Sequence, residues 1–368
     1  MENIPEKAYW IWLARVPGVG ARRFKRLLEI YDSPINVWKA SDNDIMARAG
    51  KLGKNVAYNI IRYRHERYLK EAAKALQIPG IRIIIPTDSE YPWILKQIYD
   101  PPAVLYCKGN YLDFSKPAIA IVGCRNPTRY GRQIAEKIAF ELASAGVTII
   151  SGLARGIDTM AHLGALRARG NTIAVIGSGI DIVYPPENKR IFKNIEMHGT
   201  IISEYPPGTR PLPGNFPARN RIISGLSSGV LVVEAGSRSG SLITVDFALE
   251  QGREVYAIPG NIDSPQSMGT NNILKQGAKL VTSAEDILED LGIKQILNRE
   301  DSFAETVQLD IFETQVYNAL EDGEKHLEEL ASITNMDIAK LNAVLTMLEI
   351  KGVVKQLPGK IFVKNYRI

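Results

Sequence analysis

The chain has 368 residues, of which 45% are hydrophobic and 23% charged, and its formal net charge is +5. This length predicts two or three domains of a soluble globular protein, and no apolar run approaches the roughly 20 residues that a membrane-spanning helix needs. The two cysteines, Cys107 and Cys124, lack metal-site spacing, and the opening segment MENIPEKAYW has no apolar signal core. We therefore expect a cytoplasmic protein with free thiols, no metal and no membrane partner.

Residues 1–75 predict a helical domain with a basic surface. Residues 1–70 carry 14 Lys and Arg against 7 Asp and Glu, which favours a polyanionic partner, although an ordinary basic surface would show the same excess. The turn Gly18-Val19-Gly20 precedes a basic helix that begins at Ala21. This pattern resembles a helix-hairpin-helix or SAM-like element, whose turn N–H groups can hold a DNA phosphate. A glycine turn between two packed helices is the alternative.

Within the expected domain of residues 80–292, residues 80–110 form a connecting piece with one strand-like run, and from about residue 117 short apolar runs alternate with helical segments. The predicted strands are Ile81–Ile85, Ile119–Val122, Val147–Ile150, Thr172–Ile176, Thr200–Ser203, Val230–Val233, Glu254–Ile258 and Lys279–Val281. Alternating strands and helices predict a parallel, doubly wound sheet of the α/β class. Because the runs are apolar throughout, we expect helices to cover both faces of the sheet.

Two strand–glycine–helix units follow each other between residues 119 and 158. The first strand ends in Gly123-Cys124-Arg125, and the second ends in Ser151-Gly152, with Arg155 shortly after. The carboxyl ends of parallel strands form a ligand crevice, where backbone N–H groups favour phosphate and glycine permits close approach. Arg125 could grip a phosphate there or pair with a helix acid. We expect phosphate of a nucleotide or of a nucleic acid, and without a G-x-G-x-x-G pattern a dinucleotide is disfavoured.

Two later segments add candidate binding residues. The segment NFPARNRIIS, residues 215–224, places an aromatic beside two arginines, so a base could stack on Phe216 while guanidinium groups hold phosphates. Ser239-Gly240-Ser241 opens a helix after a strand and forms another turn that suits an anion. Phe216 could instead fill the core. Glu234, at a strand end, could be a catalytic acid or could orient Arg219.

The C-terminal part of the chain has a different pattern. Residues 293–308 lack apolar periodicity, which indicates a linker. The pattern of residues 309–368 predicts a winged-helix domain. Its expected helices are Ile311–Leu320, His326–Ile333 and Met336–Ile350, followed by a hairpin around Pro358-Gly359. In winged-helix domains the third helix often enters the DNA major groove. In this chain the third helix has one lysine and no arginine. We therefore favour a domain that binds a partner, or DNA only weakly.

Taken together, these segments resemble the DprA/Smf family of bacterial DNA-processing proteins over roughly residues 80–292. The matching motifs are Gly123-Cys124-Arg125, Tyr130-Gly131, Ser151–Asp158, Ala161-His162, Gly177–Asp181, Tyr184-Pro185, Asn188, Ser203–Tyr205, Phe216–Arg221, Ser239–Thr244 and Ile258-Pro259-Gly260. The resemblance implies an extended Rossmann-like domain that binds single-stranded DNA and no nucleotide cofactor. It also implies a homodimer that protects incoming DNA and loads the RecA recombinase in natural transformation.

The resemblance also implies which residues line the DNA site. Arg125 is the best phosphate-gripping candidate, and Lys189 is a candidate at the rim. The same pocket would contain Gly123, Ser151, Gly152, Arg155, Phe216, Arg219, Asn220, Arg221, Gly240 and Ser241. Some relatives carry a lysine shortly before the Phe-Pro segment, where this chain has Leu212-Pro213-Gly214, so one phosphate contact would be missing. Ile273, Leu274 and Leu280 are apolar candidates for a dimer interface, with ordinary core packing as their alternative.

Two other classes of function compete with this interpretation. A nucleotide-cleaving, phosphoribohydrolase-type enzyme would use Glu234 or Asp158 as acid or base, but the chain has Ser-Gly-Ser-Leu-Ile-Thr in place of the Pro-Gly-Gly-x-Gly-Thr loop of such enzymes. We interpret Asp158 and His162, four residues apart, as a capping aspartate and a packed histidine. A transcription regulator is disfavoured by the weakly basic third helix of the C-terminal domain. We therefore expect a non-enzymatic DNA-binding protein.

Overall fold

The computed structural model describes residues 4–110, 114–293, 309–321 and 323–364. The chain divides into two compact units, Met1–Gln295 and Ile296–Ile368. The boundary expected between residues 75 and 80 falls inside the first unit, and the expected linker lies outside the described residues except for Ile293. Within the described ranges no helix is long and apolar enough to cross a membrane, and no cluster of three His, Cys, Asp or Glu side chains could hold a metal ion.

The first unit begins with seven helices around an apolar core. They are α1 (Glu6–Arg15), α2 (Ala21–Tyr31), α3 (Pro34–Lys39), α4 (Asp42–Ala47), α5 (Ala49–Leu52), α6 (Lys54–Tyr63) and α7 (Glu66–Ala75). The buried Trp12 anchors α1 to α6, because its indole N–H donates a 2.7 Å hydrogen bond to the backbone oxygen of Tyr63. Gly18, with φ of +87°, forms the expected turn between α1 and α2.

Among the described residues of this unit, nine strands form one sheet. They are β1 (Ile81–Ile84), β2 (Leu105–Gly109), β3 (Ala118–Val122), β4 (Thr148–Ser151), β5 (Thr172–Ile176), β6 (Thr200–Ser203), β7 (Gly229–Val232), β8 (Glu254–Ala257) and β9 (Lys279–Leu280). Strands β3 to β9 are parallel to one another, whereas β1 and β2 pair antiparallel at one edge. The predicted α/β class with a large parallel sheet is confirmed, and the two antiparallel strands extend that sheet.

Helices cover both faces of the sheet, as the apolar strands predicted. They are α8 (Trp93–Lys96), α9 (Arg129–Ser144), α10 (Ile157–Arg167), α11 (Lys189–His198), α12 (Asn215–Gly225), α13 (Leu242–Glu250), α14 (Met268–Lys275) and α15 (Ala284–Asp290), with a 3₁₀ turn at Pro186–Asn188. Alternate residues of β3 serve opposite faces. Ile119 and Ile121 pack in the cluster that contains α9 and α10, and Ala120 and Val122 pack in the cluster that contains α12 and α13.

The strand order reverses between β3 and β7. Across the sheet the order is β1-β2-β6-β5-β4-β3-β7-β8-β9. After β3 the chain adds β4, β5 and β6 on one side, and it then places β7, β8 and β9 on the other side. Such a reversal leaves a crevice outside the carboxyl ends of the strands. The glycine-rich strand ends singled out in the sequence all lie at this edge of the sheet.

The second unit is a winged helix in its described residues. Its elements are α16 (Ile311–Ala319), β10 (Lys325–His326), α17 (Leu327–Thr334), α18 (Ile338–Ile350), β11 (Val354–Leu357) and β12 (Ile361–Lys364), with the strand order β10-β12-β11. Leu330, Leu345 and Phe362 belong to its apolar core. The predicted three helices and hairpin are confirmed. His326, expected to be the first residue of the second helix, instead belongs to the short strand β10, and the helix begins at Leu327.

Candidate nucleic-acid interface

The crevice at the strand-order reversal contains a cavity of about 400 Å³, within the usual range of ligand sites. Its lining comprises Val122, Gly123, Arg125, Ala154, Asp158, Tyr184, Pro211, Pro213, Phe216, Pro217, Arg219, Asn220, Ile223, Ser239, Gly240, Ser241, Ile243 and Thr244. A smaller cavity of about 20 Å³ shares Arg125, Tyr184, Phe216 and Arg219 with it. The smaller cavity adds Gly152 and Arg155 to the lining. Residues from five separate segments of the sequence therefore meet at one place.

The turn between β3 and α9 presents Arg125 to this cavity. Glu234, after β7, fixes this turn through three hydrogen bonds. Its backbone oxygen accepts from Cys124 N at 2.7 Å. Its carboxylate accepts from the backbone N of Thr128, at 2.8 Å, and from the Thr128 hydroxyl. Thr128 caps α9 by accepting from Gly131 N at 3.1 Å. Glu234 therefore does not orient Arg219, contrary to one interpretation of the sequence, because its carboxylate is engaged by Thr128.

Asp158 closes the turn between β4 and α10. Its Oδ2 accepts hydrogen bonds from the backbone N–H groups of Gly152 and Ala154, at 3.2 and 3.4 Å. A Cβ on Gly152 would lie 2.4 Å from the guanidinium of Arg219, so glycine allows that side chain to reach the loop. Ser151 is buried, and its hydroxyl donates to a backbone oxygen of β3 at 2.7 Å. Ser151 thus contributes to the sheet and not to the lining of the cavity.

Arg219 is a buried cation at the floor of both cavities. Its side chain is only 4% exposed, and Nη1 donates to the backbone oxygens of Gly152, at 2.7 Å, and Val175. Burial lowers the pKa of Arg219 to about 10, while the negative charge of Asp158 supports the protonated form. Its Nε–H has no hydrogen-bond partner among the described residues. An unsatisfied buried donor is costly, and the positive charge of this guanidinium would attract an anion bound in the cavity.

An aromatic pair lies beside the two arginines. The rings of Phe216 and Tyr184 are 5.4 Å apart at an interplanar angle of 33°, and the Arg125 guanidinium is 5.8 Å from the centre of the Phe216 ring. Phe216 is half-buried and lines both cavities, so it does more than fill the core. Tyr184 was not among the site residues predicted from the sequence. Arg125 was predicted because it follows a strand at the carboxyl edge of the sheet, and the same reasoning applies to Tyr184. Tyr184 follows β5 at the same carboxyl edge of the sheet.

The start of α13 forms another wall of the crevice. The hydroxyls of Ser239 and Ser241 are 2.8 Å apart, and the side-chain amide of Asn220 donates to the backbone oxygen of Gly240 at 3.4 Å. Gly240 is exposed, and no atom of the described neighbouring residues lies within 4 Å of where its Cβ would be. Asn220 therefore joins the α12 wall to the α13 wall, and leaves the glycine turn open to a ligand.

Three other cations proposed for the site have different surroundings. Arg155 lines the smaller cavity but pairs with the carboxylate of Glu187. Lys189 is exposed at the first position of α11 and is absent from both linings. Arg221 is 4% exposed, and its guanidinium pairs with Glu204 at 2.6 Å and with Asp100 at 3.5 Å. Arg221 therefore faces away from the cavity that Arg219 lines.

Two titratable groups near the crevice are held in their neutral forms. Burial lowers the pKa of His162 to about 3, and its Nδ1 lies 2.8 Å from the hydroxyl of Thr172. The packed histidine predicted from the sequence is thus confirmed. Burial, with Glu234 nearby, raises the pKa of the Cys124 thiol to about 11. At neutral pH neither group is poised as a nucleophile or a proton donor.

The three candidate dimer residues differ in their exposure. Ile273 is 7% exposed and belongs to the sheet core, and Leu274 is partly buried against the same core. Leu280 is 55% exposed on β9, the strand at the outer edge of the sheet. Of the three, Leu280 is the one that a second chain could reach without disturbing the core.

Comparisons with known proteins point to one family. Residues 82–292, which include every residue of the two cavities, match the family model described as DNA recombination-mediator protein A. Residues 304–360 match the DprA winged helix domain. Protein Smf of Synechocystis sp. is 35% identical over 96% of this chain and 98% of its own length. DNA processing protein DprA of Bacillus subtilis is 48% identical over 61% of this chain and 75% of its own length.

Two solved structures share the fold. The X-ray structure of DNA processing protein A from Streptococcus pneumoniae aligns with 77% of this chain and 97% of that chain, at 38% identity and a TM-score of 0.67. DNA processing protein A from Helicobacter pylori, solved to explain its single-stranded DNA binding mode, aligns with 57% of this chain and 95% of that chain, at 31% identity and a TM-score of 0.53. The chain therefore belongs to the DprA/Smf family of DNA-processing proteins.

Proposed function

We propose that the crevice binds single-stranded DNA and does not cut it. One observation carries the proposal: the buried Arg219, whose Nε–H has no acceptor among the described residues, shares a cavity with the exposed Arg125 and an aromatic pair. A backbone phosphate would be attracted by the buried charge of Arg219, and the guanidinium of Arg125 would bind it from the solvent side. A base would stack on Phe216 or Tyr184. Every nucleotide offers these two features, so binding should tolerate any sequence.

The relatives support this assignment. The Helicobacter pylori protein has a described single-stranded DNA binding mode, and the relatives from Bacillus subtilis and Streptococcus pneumoniae are named DNA processing proteins. We extend the role to a cytoplasmic homodimer that protects incoming single strands and loads RecA during natural transformation or recombination. Loading is tested by RecA-driven strand exchange on DNA already coated with a single-strand-binding protein. An earlier start of exchange supports it, and an unchanged lag would contradict it.

The competing enzyme function lacks a free carboxylate at its two candidate positions. Glu234 is buried, lies outside both cavity linings and accepts hydrogen bonds from Thr128. Asp158 lines the larger cavity, but its Oδ2 holds two backbone N–H groups and its charge is balanced by Arg219. A general acid or base needs a carboxyl group that can reach the substrate. Both carboxylates are better explained as supports for the two arginine-bearing loops.

Fluorescence anisotropy with labelled oligothymidine tests the proposal. Single-stranded and duplex forms are titrated across a salt series, with a nucleoside monophosphate in excess as competitor. We expect preference for the single strand, and a loss of affinity with salt whose slope is about 0.7 per phosphate contact. Ready displacement by the monophosphate would instead indicate a small-molecule site, and cleavage of the glycosidic bond would then be the assay of choice.

A further inference from the structure

Tyr99 is an exposed aromatic ring flanked by two cations from the N-terminal helices. Its side chain is 72% exposed. The Arg22 guanidinium lies 5.5 Å and the Lys25 ammonium 5.2 Å from the centre of the ring. Lys25 also donates a 3.0 Å hydrogen bond to the backbone oxygen of Tyr99. We call these three residues the Tyr99 patch; it combines the ring and the positive charge that single-stranded nucleic acids require.

The Tyr99 patch lies at the same edge of the sheet as the crevice. Strand β2 runs antiparallel to β6, with Tyr106 opposite Ser203, so the residues before β2 lie where β6 ends. Helix α12 connects the two places. Its Arg219 and Asn220 line the crevice, whereas Arg221 turns the other way and pairs with Asp100, next to Tyr99. The patch and the crevice therefore lie on different sides of α12.

Several exposed cations lie along this path. Asp100 is the acid that contacts the patch, and its carboxylate pairs with both Arg221, at 3.5 Å, and Arg22, at 3.9 Å. Arg23 and Arg26 add two exposed cations on α2. Arg210 is also exposed, in the loop that continues into the Pro211 wall of the crevice. A polyanionic strand that leaves the crevice toward α2 would therefore meet Arg210 and the cations of α2, while Asp100 is paired with two arginines.

We propose that the Tyr99 patch is a second contact for the same single strand of DNA. The strand passes from the crevice over α12, one base stacks on the Tyr99 ring, and Arg22 and Lys25 hold the phosphates beside it. This role rests on the proposed function of the crevice, which it extends to the N-terminal helices. It requires a strand long enough to reach both places, and that requirement makes it testable.

The first test uses Tyr99→Ala with oligothymidines from about 4 to about 16 nucleotides, the range of common site sizes. We expect no change for the shortest oligonucleotide and a loss of at least about fivefold for the longest, because one base-stacking contact is removed. Tyr58→Ala is the matched control, since Tyr58 is also an exposed tyrosine of the first unit, at 60% exposure. Unfolding curves confirm that each variant is folded.

The second test removes charge. The double variant Arg22→Gln/Lys25→Gln should lower the salt slope for the longest oligonucleotide by about 1.4, because two phosphate contacts are lost at about 0.7 each. Lys70→Gln/Lys74→Gln removes the same charge from α7 and should leave the slope unchanged. Both pairs of cations are exposed, so neither double variant should unfold the chain.

Arg125→Ala separates the failure of this proposal from the failure of the crevice site. If Arg125→Ala weakens binding while Tyr99→Ala and the Arg22/Lys25 variant do not, the strand leaves the crevice by another path and the patch proposal falls alone. If Tyr99→Ala weakens short and long oligonucleotides equally, Tyr99 acts through α12 and the second contact is refuted. If Arg125→Ala has no effect at any length, the crevice site fails and the extension fails with it.

Discussion

At the residue scale, the site depends on a buried arginine that the fold leaves incompletely satisfied. Removing the charge of Arg219 from water costs several kcal/mol, offset by Asp158 and by two backbone oxygens. Its neighbour Arg125 has no such constraint, since it is exposed at the mouth of the cavity. The two cations should therefore divide their roles. Arg219 is held in place before the ligand arrives, and Arg125 closes on the ligand.

Replacing Arg125 tests this division directly. Arg125→Ala should weaken single-strand binding and lower the salt slope by about 0.7, because one phosphate contact is lost. Folding should be unaffected, because the side chain is exposed. Arg132→Ala is the control, since Arg132 is an exposed cation on α9 outside the cavity linings. An Arg125→Ala protein that binds as tightly as the parent would remove Arg125 from the site.

The lowered pKa of the buried His162 should make the stability of the fold depend on pH. Its folded-state pKa is about 3 and its ordinary value is 6.5, so below pH 6.5 the unfolded chain binds a proton that the folded chain excludes. Stability should fall by up to about 1.4 kcal/mol per pH unit between pH 6.5 and 3 from this group alone. Urea unfolding at pH 7 and pH 5 measures the loss, and His162→Gln should show a smaller one. Equal losses in the two proteins would refute this account of His162.

At the scale of elements, the helix period explains which residues of α12 reach the site. Positions 216, 219, 220 and 223 lie on one face of a helix, and all four line the larger cavity. Arg221 is off that face, which is why it meets Asp100 and Glu204 instead. The sequence indicated an aromatic and arginine-rich segment at a helix start. Applying the helix period to it would have separated Arg219 from Arg221.

The β3–α9 turn offers a test in which an ordinarily favourable substitution should be harmful. Alanine in place of a helical glycine usually stabilises by about 0.5–1 kcal/mol. At Gly131, however, the new Cβ would lie 2.4 Å from the Glu234 carboxylate. Gly131→Ala should therefore destabilise the first unit by about 1–3 kcal/mol. Because the same carboxylate holds the Arg125 turn, single-strand binding should weaken too.

Gly50→Ala is the matched control for this substitution. Gly50 also lies in a helix, α5, and a Cβ added there would have no atom of the described neighbouring residues within 4 Å. Thermal unfolding of both variants measures the difference, and Gly50→Ala should be neutral or slightly stabilising. If Gly131→Ala matches Gly50→Ala in stability, the packing of Glu234 against α9 does not fix the turn.

At the scale of the whole molecule, the sequence predicted the parallel strands and the glycine-rich edge because both depend on local patterns. Strands β5 and β6 have the predicted bounds, β3, β8 and β9 differ by one residue at one end, and β4 and β7 are shifted by one residue at both ends. The direction of β2 was not predictable in this way, since its partner β6 lies about 95 residues further along the chain. The direction in which a side chain points was also not predictable from the sequence. Ser151 stands at a predicted strand end, yet its hydroxyl points into the sheet.

Because the chain divides into two compact units, we expect the first unit to bind single-stranded DNA without the second. Deleting residues 309–368 removes 7 Lys and Arg and 9 Asp and Glu, so the remaining chain becomes more positive. Single-strand affinity should therefore be retained, because every residue of the crevice lies in the first unit. Titration of the truncated and full chains with the same oligothymidine checks this. A large loss on truncation would place the winged helix within the DNA site.

If single-stranded DNA lies in the crevice between β3 and β7, locating the bound strand will show it there. A single-stranded oligonucleotide carrying a photoreactive base is cross-linked to the full chain, and the attached peptides are identified by mass spectrometry. We expect cross-links at Phe216 and Tyr184, the aromatic pair of the cavity, that disappear when an unlabelled single strand competes. Cross-links confined to the second unit, with none at this pair, would contradict the account.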